Sequence, residues 1–187
     1  KQVRRNAKRL MKNYKLAKGL IDKTDYIVEE DNELLDLVDQ LAHDDEAPAL
    51  ETNDQGLPFL GKAGKLLDKI LLAVDLTRTK DIFIVNILKC KTPNNRDPLQ
   101  SEIEKYIPYL NRQIKIIQPK LILALGKVAG KSLIGKDISV QEMRDKIFDY
   151  NGIPLKITYH PETLLRNQNL KKLAWDDFKW VKNQMEN

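Results

Sequence analysis

Residues 81 to 98 read DIFIVNILKCKTPNNRDP. The stretch begins with an apolar run, Ile82 to Val85, and passes through Asn86 into a basic, turn-rich tail. A short continuous apolar run that is bounded by turn signals is typical of a parallel strand buried on both faces. The stretch therefore predicts a buried strand that delivers a loop at its carboxyl end, and this strand decides the fold.

Asn86 stands at the end of that predicted strand. A side-chain amide in such a place must find hydrogen-bond partners, and a flat ligand with one donor and one acceptor edge would supply them. The alternative is that Asn86 caps the strand end with local backbone bonds. The residue by itself leaves both interpretations open.

Strand and helix patterns alternate along the rest of the chain. Two more apolar strands are predicted, over 120–126 and 153–159. The most regular helix pattern covers 97–117, with Asp97 at the N-cap and Pro98 at the first helical position. The other helices are predicted around Leu66 to Val74 and over 127–134, 140–148 and 170–185.

Strands that alternate with helices pair in parallel through right-handed crossovers. The predicted fold class is therefore α/β, a three-layer α/β/α sandwich with a central, mostly parallel sheet. In such sheets ligands bind outside the carboxyl ends of the strands. Asn86 and His160 both follow predicted strands, and Pro161 keeps His160 away from helical dihedral angles, so that its ring projects from the strand end. We expect the two side chains to converge on one edge of the sheet.

The composition narrows the class of protein. The chain has 187 residues, 42% of them hydrophobic and 32% charged, which is enough for one domain with a full core. No apolar stretch approaches the roughly 18 residues of a membrane span, so none is expected. Cys90 is the one cysteine, which excludes an intramolecular disulfide and a site built from this chain's thiolates alone. We expect an intracellular, reducing compartment, either a bacterial cytoplasm or an organelle matrix.

The basic charge belongs to an N-terminal arm. Residues 1–21 carry eight cations and no acid, and the net charge of +5 less these eight leaves −3 for the other 166 residues. Apolar residues from Val3 to Ile21 recur at helical spacing opposite the cations. A docking helix with a solvated cationic face, a nucleic-acid clamp and an organellar targeting remnant all remain open. The predicted organisation is a basic helical arm followed by an acidic linker with a helix across Glu33 to Leu41, together over 1–45, then an α/β domain over 46–187.

Four blocks of the sequence resemble the family 4 uracil-DNA glycosylases in their order, their spacing and their residues. They are GLPFLGKAGKLLDKIL (56–71), IFIVNILKCKTPNNRDP (82–98), PKLILALGKVA (119–129) and ITYHPETLLRN (157–167). The resemblance covers roughly residues 46 to 181. It implies the uracil-DNA glycosylase fold and a DNA repair enzyme that flips uracil out of the helix and hydrolyses its N-glycosidic bond.

The resemblance also implies roles for individual residues. Glu46 resembles the carboxylate that positions or activates the attacking water, and Phe59 resembles the aromatic residue that stacks on the flipped base. Asn86 resembles the amide that reads the uracil edge. His160 matches the histidine that donates to uracil O2 as negative charge develops there.

A second implied group would contact DNA outside the base pocket. Leu164, Leu165 and Arg166 lie where the family's loop enters the minor groove and holds the duplex open. The cations Lys89, Lys91, Arg96 and Arg166 would hold phosphates, which carry affinity without sequence information. A solvated surface role is the alternative for each cation. The members of this group are Lys89, Lys91, Arg96, Leu164, Leu165 and Arg166.

The chain departs from the family in the cysteines that would bind the cofactor. Family 4 members usually bind a 4Fe–4S cluster through four cysteines. Here Cys90 is a lone remnant of a ligand position, Tyr106 stands where another ligand would be, and the N-terminal pair is absent. We therefore expect no cluster and no other metal or cofactor.

The first active-site loop departs as well. The family has a loop bounded by glycines, GEAPG, whereas this chain has Asp45 and Ala49 in the glycine positions. The family also has an apolar strand directly before the loop, where this chain has HDD. Either a segment between about Leu41 and Glu46 is missing from the chain or the protein has degenerated. A sheet without that central strand would expose the edges of its neighbours.

Two functions of different class follow. The first is a monofunctional uracil-DNA glycosylase whose partner is uracil-containing DNA, with no membrane partner, and which is a monomer unless it joins a larger complex. The second is a catalytically inactive glycosylase fold that serves as a nucleic-acid-binding or structural subunit of a larger complex, such as an organellar ribonucleoprotein. The four retained pocket residues favour the first, whereas the cationic arm and the altered first loop favour the second.

Overall fold

The computed structural model describes residues 61–88, 92 and 96–186. The predicted basic arm, the acidic linker and the domain boundary at residue 46 lie outside these described residues. In the described part, none of the helices combines the length and the hydrophobicity that crossing a lipid bilayer takes. The elements in chain order are α1 Lys62–Ala73, α2 Gln100–Ile117, β1 Ile122–Leu125, α3 Gly126–Ile134, α4 Val140–Arg144, β2 Ile147–Tyr150, β3 Ile153–Thr158, α5 Pro161–Arg166, a 3-10 helix Gln168–Leu170 and α6 Lys171–Glu186.

The sheet places β3 between the other two strands, in the order β1-β3-β2. β1 and β3 are parallel, with Ile122 opposite Leu155 and Leu125 opposite Thr158. β2 and β3 are antiparallel, with Tyr150 opposite Ile153. One of the two pairings in the described sheet is therefore parallel, so the α/β class is confirmed while the sheet is mixed.

Helices cover both faces of this sheet. On one face, Leu67 and Leu71 of α1 and Phe178 and Val181 of α6 pack with the alternate β1 residues that include Leu123. On the other face, the core cluster comprises Ala124, Met143, Leu155 and Ile157, with side chains of α3 packed against it. Alternation along β1 and β3 sends successive side chains to opposite faces, which is why each strand is apolar on both. The predicted three-layer arrangement is present.

The helix predicted over 97–117 begins later than expected. Its first residue is Gln100, and Leu99 occupies the N-cap in place of Asp97. The carboxylate of Glu102 accepts a hydrogen bond of 2.7 Å from the Leu99 backbone N–H, so the cap is satisfied from inside the helix. The helix ends as predicted before Pro119, at Gln118, whose φ of 48° is left-handed.

The prediction of a helix over 140–148 is wrong in its second half. The helix α4 stops at Arg144, and the chain then forms β2, which turns back into β3. Asn151 and Gly152 join the two strands, with φ of 54° and 85°. A two-residue turn with positive φ at both positions is what Asn-Gly favours, because its twist matches that of the flanking strands.

The prediction that Ile82 to Asn86 forms a central strand is also wrong. These residues belong to no strand and are partly exposed. In the described residues, β1 ends the sheet on that side. A strand exists only where a neighbour offers backbone donors and acceptors, and no described strand pairs with this segment.

Two apolar side chains on helices, one buried and one exposed, provide a test of this packing. Phe178 of α6 is 1% exposed, whereas Leu72 of α1 is 67% exposed. We expect Phe178→Ala to lower the free energy of unfolding by about 3–5 kcal/mol, because it leaves a cavity in the core, and Leu72→Ala to change it by less than about 0.5 kcal/mol. Urea denaturation followed by circular dichroism measures both. Equal losses in the two variants would contradict the described core.

Candidate active site

His160 lies at the junction of β3 and α5. Its backbone is extended, with φ of −65° and ψ of 139°, and Pro161 is the first residue of the helix. The His160 carbonyl oxygen accepts from the backbone N–H groups of Thr163 at 2.9 Å and Leu164 at 3.2 Å. The predicted extended conformation is therefore present, but the residue is the N-cap of a short helix, where a loop was expected.

The hydrogen bonding of the imidazole ring defines which nitrogen is the donor. The Nδ1 atom accepts a hydrogen bond of 3.2 Å from the backbone N–H of Glu162. An accepting Nδ1 means that the proton of the neutral ring resides on Nε2. Burial lowers the pKa of His160, and the nearby Glu162 carboxylate partly opposes this. The ring is therefore held as a neutral imidazole with an Nε2–H donor.

Gly126 supports the other side of the same residue. It is the first residue of α3, directly after β1, and its φ is +91°. A Cβ atom placed on Gly126 would lie 2.9 Å from the Cβ of His160. Both the positive φ and the close approach require glycine there. The end of the parallel neighbour β1 thus packs directly against the candidate catalytic histidine.

A large cavity joins His160 to Asn86. It has a volume of about 1010 Å³, and Asn86 and His160 are both among the residues that line it. The segment Ile82 to Leu88 and the strand β1 form much of its apolar wall. Ligand sites are usually about 300–1,000 Å³, so this space lies at the upper end of that range. Sequence reasoning expected the two polar side chains at one sheet edge, and the structure brings both to one cavity.

Several predicted site residues lie outside the described part of the chain. This holds for Glu46, Phe59, Lys89, Cys90 and Lys91, whose roles stay predictions.

Arg96 is described and makes a two-pronged ion pair with Glu102. The two nitrogen–oxygen distances are 2.8 Å each. The hydrogen bond from Arg96 lowers the pKa of Glu102 to about 2, and the backbone bond from Leu99 adds to this. The pair also raises the pKa of Arg96. The guanidinium that was expected to hold a phosphate is therefore engaged with a carboxylate in this structure.

The helix α5 separates the three residues that were predicted to enter the minor groove. Leu164 is fully buried and packs with Tyr159 and Ala174, so its side chain belongs to the core in this arrangement. Leu165 is 41% exposed. Arg166 is exposed and pairs with Glu162 at 2.7 Å. DNA contact by Leu165 and Arg166 stays a prediction, whereas a groove-entering role at Leu164 does not fit its burial.

The residues present do not fit an iron-sulfur cluster. Such a cluster takes four thiolates, and Cys90 is the one cysteine of the chain. Tyr106, at the expected position of a second ligand, is 5% exposed, and its ring lies 6.3 Å from that of Tyr109. Among the described residues, no group of three or more potential ligands could hold a metal ion. The expected absence of a cofactor stays a prediction.

Sequence reasoning missed the polar residues beneath the site. Arg144, Lys156, Thr158 and Asp177 are all at most 9% exposed and contact one another. The sequence held one signal, a lysine within the otherwise apolar LKIT segment of β3. A buried lysine needs a partner, and that partner is far away in the sequence.

The chain matches a known protein family over most of its length. The family model of the uracil DNA glycosylase superfamily matches residues 46–179. The chain belongs to the uracil-DNA glycosylase superfamily.

Individual relatives narrow the comparison. The chain is 39% identical over 145 residues to a type-4 uracil-DNA glycosylase of Sulfurisphaera tokodaii, across 73% of this chain and 66% of that protein. It is 34% identical over 167 residues to a type-4 uracil-DNA glycosylase of Archaeoglobus fulgidus, across 85% and 81%. It is 34% identical over 166 residues to that of Thermotoga maritima, across 87% and 84%. The match thus spans about two thirds of the first relative and more than four fifths of the other two.

The contact between Gly126 and His160 is open to direct test. We expect Gly126→Ala to shift the imidazole resonances of His160 in the NMR spectrum, because the added methyl group displaces the ring. Gly135→Ala is the matched control, since Gly135 also has a positive φ, +66°, but nothing lies within 4 Å of its Cβ position. The control should lose about 1 kcal/mol of stability and leave the resonances in place. His43→Gln assigns the resonances of the second histidine.

The depressed pKa of His160 predicts a pH dependence of stability. Because folding lowers this pKa, the unfolded chain binds the proton more readily as the pH falls. The stability due to the neutral ring is complete above the ordinary value of 6.5 and is lost as the pH falls through it towards the lower folded pKa. We expect the unfolding free energy of wild type, relative to His160→Gln, to decrease between about pH 8 and about pH 5. A difference that does not vary with pH would contradict the burial of this ring.

Proposed function

We propose that this chain is a monofunctional uracil-DNA glycosylase, a hydrolase that acts on the N-glycosidic bond of uracil in DNA. One observation carries the proposal: His160, whose neutral ring has its proton on Nε2, and Asn86 line one cavity near the end of β3. The relatives named type-4 uracil-DNA glycosylases support the same activity.

The proposed chemistry begins with a flipped uracil. Cleavage of the bond between sugar C1′ and uracil N1 leaves its electron pair on the base, and negative charge develops at O2. The Nε2–H of His160 donates to that oxygen. Water adds to C1′, and Glu46 is proposed to position it and take its proton. A neutral histidine stabilises the anion as a hydrogen-bond donor and needs no proton transfer to do so.

Recognition of the base is assigned to two other side chains. Extrusion of a base costs a few kcal/mol, which stacking and edge hydrogen bonds in the pocket offset. Phe59 is proposed to stack on the uracil ring. Asn86 is proposed to pair with the donor and acceptor of the uracil edge, a pattern that thymine shares but with a methyl group that the pocket would have to exclude.

Contacts to the DNA backbone are proposed for cations of three parts of the chain. Arg166 reaches the surface on α5, with Glu162 as its present partner. Lys89, Lys91 and Arg96 follow Asn86 in the sequence, and the basic arm adds eight cations. Phosphate binding by such groups would make affinity strongly dependent on salt. We also propose that the chain works as a monomer without a cluster, in a reducing intracellular compartment, which a single cysteine suits.

A specific observation favours a second candidate, a catalytically inactive subunit that binds nucleic acid or has a structural role. Ile82 to Asn86 lacks strand pairing, and the cavity of about 1010 Å³ is large for a single pyrimidine. A site whose Asn86 lies on irregular chain would hold the base too loosely for catalysis.

Excision of uracil from a labelled oligonucleotide tests the proposal. We expect release of uracil but not of thymine. His160→Ala should lower the rate by about 10²–10³-fold, the usual effect of removing one donor to a developing anion. Asn86→Ala should lower it by about 10- to 100-fold. Leu72→Ala, on an exposed face of α1, is the matched control and should leave the rate unchanged.

The outcomes separate the two candidates. Absence of release by a folded protein that binds the oligonucleotide would support the inactive subunit. Release that survives His160→Ala would overturn the assignment of the site.

A further inference from the structure

A buried cluster of charged and polar side chains lies beneath the strand end that carries His160. It consists of Thr158, Asp177, Arg144 and Lys156, which are 0%, 2%, 8% and 9% exposed. Thr158 and Lys156 belong to β3, Arg144 ends α4, and Asp177 lies in the middle of α6. None of these residues touches the candidate substrate cavity. The proposed chemistry therefore leaves them without a role.

The carboxylate of Asp177 is the centre of this cluster. Its Oδ2 accepts from the Thr158 hydroxyl at 2.7 Å and from Arg144 Nε at 3.2 Å. Its Oδ1 accepts from Arg144 Nη2 at 3.1 Å and lies 3.4 Å from Lys156 Nζ.

The two cations of the cluster, Lys156 and Arg144, also contact groups other than Asp177. Lys156 Nζ donates to the Arg144 carbonyl oxygen at 2.7 Å and lies 5.4 Å from the centre of the Trp180 ring. Arg144 Nη2 donates to the Leu173 carbonyl oxygen at 3.0 Å. The cluster therefore links β3 to α4 and α6 through both side chains and backbone.

Stability by itself does not account for such a cluster. Taking charges out of water offsets most of their attraction, and apolar side chains of the same size would stabilise the fold as well or better. What the cluster supplies is fixed geometry, because each oxygen of Asp177 has donors in set directions. Those directions fix Thr158, the last residue of β3 and two residues before His160.

We propose that Asp177 is a positioning residue for His160, and that it acts through Thr158 and the end of β3. The histidine is then held at three levels: the strand by the cluster, the Cβ by Gly126, and the ring by the Glu162 N–H. The catalytic test of this positioning role, the rate of uracil release, rests on the proposed glycosylase function. The structural test, the NMR resonances of His160, does not.

The test removes one hydroxyl and keeps the branched shape of the side chain. Thr158→Val deletes the bond to Asp177 and leaves the carboxylate with Arg144 and Lys156, so the fold should persist. Thr158→Ser, which keeps the hydroxyl, is the conservative variant. Tyr150→Phe is the matched control, because it deletes the single hydroxyl that donates to Asn111 at 2.6 Å, away from the site. Thr158→Ala is made in parallel as a second deletion of the hydroxyl, should the valine variant not fold.

Two readouts are measured on the full chain. We expect Thr158→Val to shift the His160 imidazole resonances and to lower kcat for uracil release by about 10- to 100-fold with little change in KM, since a small misplacement of a catalytic group has effects of that size. Thr158→Ser should restore both readouts, and Tyr150→Phe should change neither.

The outcomes distinguish failure of the positioning role from failure of the glycosylase function. Unchanged His160 resonances in Thr158→Val and Thr158→Ala would overturn the positioning role, and so would an equal shift in Tyr150→Phe. Shifted resonances in a protein that releases no uracil, even as wild type, would support the positioning role while the glycosylase function fails.

Discussion

The carboxylate of Asp177 is the interaction on which the described structure depends most. β3 lies between β1 and β2, and its buried face carries Lys156 and Thr158 towards α6. Without Asp177, the two buried cations would lose the carboxylate that they share and the Thr158 hydroxyl would lose its acceptor, which costs several kcal/mol. The helices on that face and the strand at the centre of the sheet are therefore mutually dependent, and the residue with the proposed chemistry lies at the end of that strand.

Support for His160 comes from elements that are far apart in the sequence. Gly126 directly follows the parallel neighbour β1, the N–H of Glu162 belongs to the helix after His160, and Asp177 belongs to the last helix. By contrast, Asn86 follows a segment with no strand pairing. The two polar groups of the cavity thus differ in rigidity of support, since one lies on a paired strand and the other on irregular chain. The glycosylase chemistry proposed above would use both groups.

Much of this fold could be predicted from the sequence, and the failures have physical causes. Periodicity predicted the strands near 122–125 and 153–158 and the helices α1, α2, α3 and α6, because each buries an apolar face. It failed for Ile82 to Asn86, since an apolar run becomes a strand only beside a partner. It also failed at the start of β2, where Ile147 and Phe148 were included in a helix. Both residues favour strands, and they lie in a hairpin closed by the Asn151-Gly152 turn.

The candidate site, like the fold, could be predicted only in part from the sequence. The sequence predicted the place and backbone of His160, because Pro161 acts on its immediate neighbour. It could not predict the contact of Gly126 with that residue, or the pairing of Arg144 with Asp177, which are 33 residues apart. Such contacts depend on the crossing of a helix over a sheet. No local pattern encodes them.

The hairpin of β2 and β3 has a consequence for the order of folding. Its two-residue turn brings neighbouring residues together, so closing it loses little chain entropy, whereas pairing β1 with β3 must enclose the whole segment from α3 to β2. We therefore expect the hairpin to form before the parallel pairing and to serve as its template. The strand that bears the histidine would then be built first, and φ-values on the two pairings would distinguish this order from its reverse.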